Sequence, residues 1–458
     1  MSTTYDLVVR GGRIVLEGQG ILEGDLAISD GRIAALGATL PAGIAPEEFD
    51  ARGLHVLPGV IDTHTHWGYR GEFANDARTD SAAAAIGGTT TAHVLHRVPA
   101  GAYERFRDAA AAHSVIDFLL TPTVFNEATA QMIPQAIEQW GCRAFKFYLA
   151  YRDLPNAQPG DNWNELTDGL MMEALDVLSR YENTVAFVHA ENAEVIARTV
   201  QRVRASGADG LAAWEEANPD IAEAEAIQRA AILCERAGVP MYLVHLSGKA
   251  AINMVGRVRR DWPHTFAETC PHYLFHNVDR SSTAVKFSPP VRSPADNAAL
   301  WEAVADGTIN CIGSDNTTTC SPAKTGDVWS LTRGGPGAGV LLPLLLSEGV
   351  NTRRLTLERV AQVTATNAAK VLGLHPRKGA IGIGADADLV LVDLALARSV
   401  SPELLGLDSD YTLYDEMTLT GWPVAVLNRG KFVARDFEVV AAPGSGLSLG
   451  RQWAATTE

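Results

Sequence analysis

Short apolar runs rich in β-branched residues recur from residue 55 onwards and alternate with Ala-, Leu- and Glu-rich stretches of helical period. Runs without polar alternation are typical of parallel strands, because helices cover both faces of a parallel sheet. Eight strands joined by helices predict an α/β fold whose sheet closes into a TIM-type (β/α)8 barrel. The eight predicted strands are HVLPGVI (55–61), TTTAHVL (89–95), IDFLLTPT (116–123), CRAFKFYLA (142–150), TVAFVH (184–189), PMYLVHL (240–246), HTFAETC (264–270) and TINCIGS (308–314).

The two ends of the chain carry a different pattern. Residues 1–53 read as short strands separated by glycine turns, and alternating β patterning returns in residues 384–394 and 423–440. Neither end contributes to the βα alternation. We therefore predict a small β-sandwich domain built from residues 1–53 and 376–458, and a catalytic barrel between them over residues 54–375.

Charge and composition reduce the range of functions that the chain can have. The chain has 38 Lys and Arg against 54 Asp and Glu, a net charge of −16, which argues against a nucleic-acid partner. Five scattered cysteines without a Cys-x-x-Cys pair favour a reducing compartment. The N-terminus has no signal-peptide pattern and no segment reaches 18 uncharged apolar residues. We expect a cytoplasmic enzyme that binds a small molecule and no membrane.

Four histidines and an aspartate fall at the carboxyl ends of predicted strands, the face on which such barrels carry their active sites. His64 and His66 follow strand one, His189 ends strand five, His245 ends strand six and Asp315 follows strand eight. Residues i and i+2 of an extended segment point to the same side, so the first two can hold one cation. A single His-x-His pair is also compatible with a surface or core role. Ligands from four strand ends together predict a site for zinc or a neighbouring metal.

Lys146 stands in the otherwise apolar strand AFKFYLAY. A buried ammonium is costly, so one interpretation is a lysine that reaches the barrel mouth or pairs with a carboxylate. The other is that burial depresses the pKa of the lysine, so that the neutral amine adds CO2. The resulting carbamate is an anion able to bridge two metal ions.

The segments PGVIDTHTH, FKFYLAY, FVHAEN, YLVHLS, AETCPHYL, KFSPPVR, GSD and GADADLVLVD occur in the order and at the separations seen in cyclic amidohydrolases. The chain resembles hydantoinases, dihydropyrimidinases and allantoinases from its first strands to about residue 440. This resemblance implies two divalent metal ions, most simply Zn²⁺, and a homotetramer or homodimer. The implied roles are His64 and His66 on the first metal, His189 and His245 on the second, carboxylated Lys146 bridging both, and Asp315 as ligand of the first metal and general base.

The same resemblance implies residues that bind substrate. Tyr151 would donate to the carbonyl oxygen as it gains charge, while Ser288 and the neighbourhood of Pro336 and Gly337 would hold the ring amide. Trp67 suits an apolar wall for a ring substituent, although packing against a neighbouring loop is an equal alternative. We expect the loops of residues 67–74 and 152–163 to form the substituent pocket, the second as a lid.

The expected reaction is opening of a 5-substituted hydantoin to the N-carbamoyl amino acid, with allantoinase or dihydropyrimidinase activity as the alternatives. A non-catalytic interaction protein of the same family is disfavoured because all six ligand positions are present. Asn316 departs from the histidine that most hydantoinases and dihydropyrimidinases have after the aspartate. Gly68 stands where dihydroorotases usually have an arginine, which disfavours that activity.

Overall fold

The structure, a computed structural model, describes residues 5–99, 101–151 and 164–450. Its described strands form two nine-stranded sheets, one parallel and one drawn from both ends of the chain. The strands, numbered in chain order, are β1 Leu7–Leu16, β2 Gly20–Ser29, β3 Arg32–Gly37, β4 Glu47–Asp50, β5 His55–Pro58, β6 Val60–His66, β7 Thr89–His96, β8 Asp117–Val124, β9 Ala144–Tyr148, β10 Val185–His189, β11 Met241–Leu243, β12 Thr265–Thr269, β13 Cys311–Ile312, β14 Asn316–Thr317, β15 Leu389–Ser399, β16 Thr418–Asn428, β17 Lys431–Arg435 and β18 Glu438–Val439.

Helices lie between successive strands of the parallel sheet, as βα units require. They bury apolar faces against it; α8, for example, buries Ala226, Ile227 and Ala230. The helices are α1 Phe73–Ile86, α2 Tyr103–His113, α3 Glu127–Gln131, α4 Ile133–Glu138, α5 Asp168–Leu178, α6 Ala193–Ala205, α7 Gly210–Ala217, α8 Asp220–Ala237, α9 Lys249–Asp261, α10 Pro271–Phe275, α11 Pro294–Asp306, α12 Leu341–Leu344, α13 Leu357–Ala361, α14 Asn367–Val371 and α15 Pro402–Leu405.

The parallel sheet closes on itself and confirms the predicted barrel. Strands β6 to β13 are neighbours in chain order, and β14 completes the ring by pairing with β6, where Asn316 lies opposite Thr65. The eighth predicted strand is therefore divided. β13 pairs with β12, β14 pairs with β6, and Asp315 lies in the break between them.

The first predicted strand is also divided. β5 joins the terminal sheet, where it pairs with β1 and β15, and only β6 enters the barrel. Gly59 separates them, and a side chain at this position would meet Thr90 Oγ1 at 2.2 Å. The absence of a side chain thus permits the chain to pass between the two sheets. The N-terminal part of the terminal sheet runs to Pro58, past the predicted boundary at residue 53.

The terminal sheet joins both ends of the chain, in the order β18-β17-β16-β15-β5-β1-β2-β3, with β4 paired to β1. Its two halves meet where β15 pairs antiparallel with β5. It encloses a hydrophobic cluster separate from that of the barrel, with contributions from β1, β2, β5, β15 and β16. The two ends of the chain therefore contribute to one sheet with its own hydrophobic cluster.

A buried lysine ties the terminal segments to the amino end of the barrel. Lys378 Nζ lies 2.8 Å from Asp117 Oδ2 at the start of β8, 2.5 Å from Asp388 Oδ2 and 3.4 Å from Asp386 Oδ2. Arg429 Nη1 donates to the other oxygen of Asp117 at 2.8 Å. Arg377 Nε also lies 3.1 Å from Asp386 Oδ1, so three cations pair with these three carboxylates at the amino end of the barrel.

Within the described ranges, every helix is too short or too polar to cross a membrane.

Candidate metal and catalytic site

The predicted ligand residues lie together at the carboxyl ends of the barrel strands. β6 ends with His64 and His66, and β10 ends with His189. His245 follows β11 and Asp315 follows β13. All five side chains are buried. Parallel register explains this convergence, because strand ends of a closed barrel meet around one opening.

Three of these side chains converge on one point. His64 Nε2 lies 3.1 Å from His66 Nε2, and Asp315 Oδ1 lies 3.3 Å from the first nitrogen and 3.1 Å from the second. Two imidazole nitrogens and one carboxylate oxygen are therefore close enough to share one cation.

Hydrogen bonds on the far side of each ring decide which nitrogen is unprotonated. His66 Nδ1 lies 2.9 Å from Leu95 O, which can only accept, so Nδ1 carries a proton and the neutral ring has its lone pair on Nε2. His64 Nδ1 lies 2.9 Å from Glu268 Oε1, which also accepts the backbone N–H of His245. When both rings are neutral with their protons on Nδ1, the two Nε2 lone pairs and a carboxylate oxygen face one another, and a cation between them would be bound by all three.

His189 and His245 form a second pair. His189 Nδ1 lies 2.9 Å from His245 Nε2, while His189 Nε2 lies 2.6 Å from Glu191 Oε2. Glu191 fixes the His189 proton on Nε2 and leaves Nδ1 for a ligand. Burial lowers the pKa of His64, His189 and His245 well below the ordinary value of 6.5. The imidazoles are therefore neutral at pH 7, as metal ligands must be.

Lys146 lies on β9 with no exposed surface. Its Nζ has no hydrogen-bond partner among the described residues and lies 4.9 Å from the ring of Tyr148. Burial lowers the pKa of Lys146 to about 7, against the opposing attraction of Asp315 and Glu268. A large neutral fraction at neutral pH is the state in which an amine can add CO2.

Backbone strain concentrates at this end of the barrel. His245, Asp315 and Tyr151 have positive φ angles of 44°, 49° and 64°. Non-glycine residues adopt this left-handed conformation at a cost of order 1 to 3 kcal/mol, and such residues cluster at functional sites. The break after β13 therefore directs the Asp315 carboxylate towards His64 and His66.

The ligand residues open into a cleft of about 410 Å³. Tyr151 lies on its wall with its ring 4.9 Å from that of His189 and its hydroxyl 3.5 Å from Ser288 O. Ser288 lines the cleft as well. The described residues around the cleft are His64, His66, Tyr69, Tyr148, Tyr151, His189, His245, Phe287, Ser288, Asp315, Thr317, Arg333 and Gly334.

The structure corrects the prediction for Trp67. Its side chain is 1% exposed and packs between Phe73 and Phe118, with ring centroids 6.2 and 6.1 Å away. Side chains two residues apart in an extended segment share a face, and Trp67 follows His66 by one, so it points away from the metal ligands. Tyr69 contributes the aromatic wall of the cleft instead.

Pro336 and Gly337 are likewise buried behind the cleft. Pro336 O accepts the backbone N–H of Leu413 at 3.0 Å, and Gly337 N donates to Asn316 Oδ1 at 2.9 Å. Their polar groups are therefore engaged within the protein. The glycine-rich stretch lines the cleft with Arg333 and Gly334, which precede the predicted residues in the sequence.

Asn316 has a structural position rather than a place on the cleft wall. Its Oδ1 accepts from Gly337 N and Ala338 N at 2.9 and 3.0 Å, and its Nδ2 donates to Asp80 Oδ2 at 2.9 Å. The amide therefore anchors the glycine-rich stretch to α1. An amide suits this position because it accepts on one side and donates on the other.

Sequence reasoning missed Glu268, which holds the two ligand groups together. Its buried carboxylate contacts His64 Nδ1 and the His245 backbone, and it also accepts from Thr63 Oγ1 at 2.6 Å and Tyr242 OH at 2.8 Å. Burial raises the pKa of Glu268 to about 8. An acid inside an apolar strand was the available signal, of the same kind that singled out Lys146. The predicted lid loop, residues 152–163, lies outside the described residues.

Known proteins resemble the chain over nearly its whole length. The model of the amidohydrolase family matches residues 55–433. A D-hydantoinase of Geobacillus stearothermophilus is 34% identical over 93% of this chain and 92% of the relative, and an allantoinase of Solibacter usitatus is 34% identical over 96% of each. The solved structure of an L-hydantoinase (dihydropyrimidinase) from Arthrobacter aurescens has a TM-score of 0.90 at 30% identity, covering 98% of this chain and 100% of that one.

Proposed function

The chain belongs to the amidohydrolase family of metal-dependent hydrolases, and from that premise we propose that it opens the ring of a 5-substituted hydantoin to give the N-carbamoyl amino acid. Its relatives support hydrolysis of a cyclic amide. The observation that carries the proposal is the convergence of ligand atoms of His64, His66 and Asp315 at 3.1 to 3.3 Å. A metal-dependent hydrolase needs such a cluster. In a purely structural protein, burying these polar groups together would only reduce stability.

The donor set fits two divalent ions, which we propose are Zn²⁺. His64, His66 and Asp315 would hold the first, and the pair His189 and His245 the second. The carbamate of Lys146 would bridge them; its support is the buried amine without a described partner. When bound, two such ions lower the pKa of water towards neutrality and polarise a carbonyl group.

Asp315 is proposed to move the proton. Its Oδ1 lies 3.3 Å from His64 Nε2 and 3.1 Å from His66 Nε2, so the carboxylate would be next to a water bound at the first metal. The carboxylate accepts that proton as the water oxygen bonds to the ring carbonyl carbon, and returns it to the nitrogen as the C–N bond breaks. One water is consumed, and a carboxylate and a ureido group result.

Tyr151 is proposed to stabilise the oxyanion. Burial raises the pKa of its hydroxyl well above the ordinary value of 10, so the group keeps its proton. Its hydrogen bond to Ser288 O is long, at 3.5 Å, and is readily exchanged for one to the developing oxyanion. Ser288 O would then be available to accept a ring N–H of the substrate.

Allantoin and dihydrouracil are the alternative substrates. An allantoinase is as similar to the chain as a hydantoinase, each at 34% identity. The glycine-rich stretch TRGGPGAGVLL also lacks the acidic and arginine residues common after it in dihydropyrimidinases, which favours allantoin as the second candidate.

We further propose a homotetramer or homodimer located in the cytoplasm. The oligomer rests on family resemblance. The location is supported by the cysteines, four of which are buried as free thiols while Cys320 is exposed.

Elemental analysis combined with a ring-opening assay tests the proposal. We expect two ions per chain, hydrolysis of hydantoins in preference to allantoin and dihydrouracil, and loss of activity on chelation that zinc restores. Asp315→Asn should reduce kcat by about 10²- to 10⁴-fold, because general acid–base help is removed. Full activity in metal-free protein would refute the proposed chemistry, whereas preference for allantoin would change only the substrate.

A further inference from the structure

Three consecutive peptide carbonyls beside the cleft of the proposed metal site differ in their partners. Phe287 O accepts the indole N–H of Trp214, with 2.6 Å between the oxygen and Nε1, and Pro289 O accepts the hydroxyl of Tyr273 at 2.6 Å. Both distances are at the short end of the range for such bonds. Ser288 therefore lies between two residues whose carbonyl groups are firmly held.

The Ser288 carbonyl has no comparable donor. Within the described part of the chain, its hydrogen-bond contact is the Tyr151 hydroxyl at 3.5 Å, and both residues line the cleft. Buried carbonyl groups usually have a partner at ordinary hydrogen-bond distance, and Ser288 is only 9% exposed. The protein thus satisfies the two outer carbonyls itself and leaves the central one for a ligand.

The two donors reach this segment from different connections of the barrel. Trp214 lies on α7, between β10 and β11, and Tyr273 lies on α10, which follows β12. Both side chains are buried, and the surrounding rings are packed as well. Trp214 meets Trp329 edge to face with ring centroids 6.1 Å apart, and the His272 ring stacks on that of Phe287 at 3.9 Å. Neither donor can follow a displaced carbonyl without moving its neighbours.

The held carbonyls determine the direction of the one between them. Each peptide group is planar, so the bond from Trp214 fixes the plane before Ser288, and the bond from Tyr273 fixes the plane after Pro289. The intervening plane carries Ser288 O. Its remaining freedom is small, because the rings of Pro289 and Pro290 hold φ at about −65°. Rotation of Ser288 O out of the cleft must therefore stretch one of the two outer bonds.

We propose that Trp214 and Tyr273 are positioning residues, which fix the direction of Ser288 O so that it accepts a ring N–H of the cyclic amide. They act through the carbonyl groups that they hold. This inference rests on the proposed function and adds two residues to the site. The alternative is that each donor only satisfies a buried carbonyl, as buried polar groups require in any protein.

Trp214→Phe and Tyr273→Phe test the proposal, since each removes one donor and keeps an aromatic ring. In both variants KM for hydantoin should rise by about 3- to 10-fold, the value of one neutral hydrogen bond. The kcat should stay within about twofold of wild type, because Ser288 O holds substrate and transition state alike. A merely structural role would instead lower the folded fraction, which reduces kcat and leaves KM unchanged.

Trp422→Phe and Tyr103→Phe are the matched controls. Trp422 Nε1 donates to Leu419 O at 2.9 Å in the terminal sheet, and the buried Tyr103 hydroxyl donates to Leu120 O at 3.2 Å. These variants lose the same atoms away from the cleft and should keep the wild-type KM. An equal rise of KM in the controls, or an unchanged KM in either folded test variant, would overturn the proposal. Tyr273→Phe removes a single oxygen atom and decides alone if Trp214→Phe does not fold.

Crystal structures of wild type and both test variants separate this proposal from the proposed function. If no cyclic amide is opened, the proposed function fails by itself, and the position of Ser288 O decides the role of its neighbours. In each variant this oxygen should move by more than about 0.5 Å relative to the His245 ring, which exceeds the tolerance of a productive site. An unchanged position would refute the positioning role.

Discussion

Two lysines of this chain are equally buried, at opposite ends of the barrel. Lys146, below the metal ligands, has no hydrogen-bond partner among the described residues, and burial lowers its pKa to about 7. Lys378, at the amino end, contacts three carboxylates that raise its pKa above the ordinary value of 10.5. Burial acts on both in the same direction, so the difference lies in the partners. A buried lysine is structural where acids surround it and reactive where they do not.

The same contrast holds for the two ends of the barrel. The amino end pairs its buried charges, whereas the carboxyl end brings histidine nitrogens within 3.1 Å of one another and places His245 and Asp315 at positive φ. Paired charges at the amino end thus stabilise the fold. Backbone strain occurs at the carboxyl end, where it positions the metal ligands.

Removal of Lys146 should give the largest effect. Lys146→Ala should lose metal and activity together, by at least about 10³-fold, because bound metal contributes several kcal/mol to the transition state. The measurement is metal content and kcat/KM on one preparation, and short carboxylic acids should restore part of both. Normal metal content and turnover in this variant would show that Lys146, unlike our proposal, has no role in metal binding or catalysis.

Lys378→Met should act on stability instead. It leaves the buried carboxylate of Asp388 without its cation, which typically costs about 3 to 5 kcal/mol. Urea unfolding measures the loss, and the protein that remains folded should keep its specific activity. Lys370→Met is the control, since this lysine is 48% exposed beside Glu17 and such pairs contribute about 1 kcal/mol or less. A similar loss in both variants would contradict the structural role.

Glu268→Gln should lower the affinity of the proposed metal site without abolishing metal binding. The carboxylate orients His64 and contacts the backbone of His245, and loss of such a partner typically costs about 10- to 100-fold in metal affinity or activity. Competition with a chelator measures the affinity. Glu223→Gln, a buried glutamate that contacts Ser247 and Arg292, should leave metal affinity unchanged.

The smallest effect is a pH dependence that distinguishes the lysines. In metal-free, CO2-free protein, Lys146 has a pKa of about 7 when folded and an ordinary value of 10.5 when unfolded. The unfolded state therefore binds more protons between these values, and stability rises with pH across that window. Lys378 has the opposite shift, so its contribution is fully present below pH 10.5 and declines only above it.

Urea unfolding at pH 7 to 10 provides the comparison. The difference between wild type and Lys146→Met should change steadily in favour of wild type as pH rises. The difference between wild type and Lys378→Met should stay constant over the same range. A constant difference for both variants would mean that Lys146 keeps its proton.

Much of the site could be predicted because strand ends are visible in sequence. A parallel barrel brings those ends together whatever the helices do, so His64, His189 and Asp315 were predicted to meet. Lys146 was recognisable because a charge in an apolar strand requires an explanation. The family resemblance then assigned each of these residues an expected role.

The incorrect predictions concern where a side chain points and which distant residue contacts it. Neither property can be read from the neighbouring sequence. Trp67 adjoins His66, yet successive side chains of an extended segment point oppositely, and only the packing of Phe118 decides which face is inside. Pro336 lies near the cleft in sequence, but a hydrogen bond from Leu413, far along the chain, occupies its carbonyl. The division at Gly59 was hidden because both strands it separates are apolar.

The pairing of β5 with β15 cannot form until most of the chain has been synthesised. Pro58 lies opposite Leu389, 331 residues later, so β5 leaves the ribosome about 15 to 70 seconds before its neighbour at typical elongation rates. The hairpin strands β1 to β3 pair locally in that interval. The open edge of β5 is then exposed to other nascent chains, and an unpaired edge is a template for aggregation. Synthesis that stops before residue 389 would leave that edge permanently open.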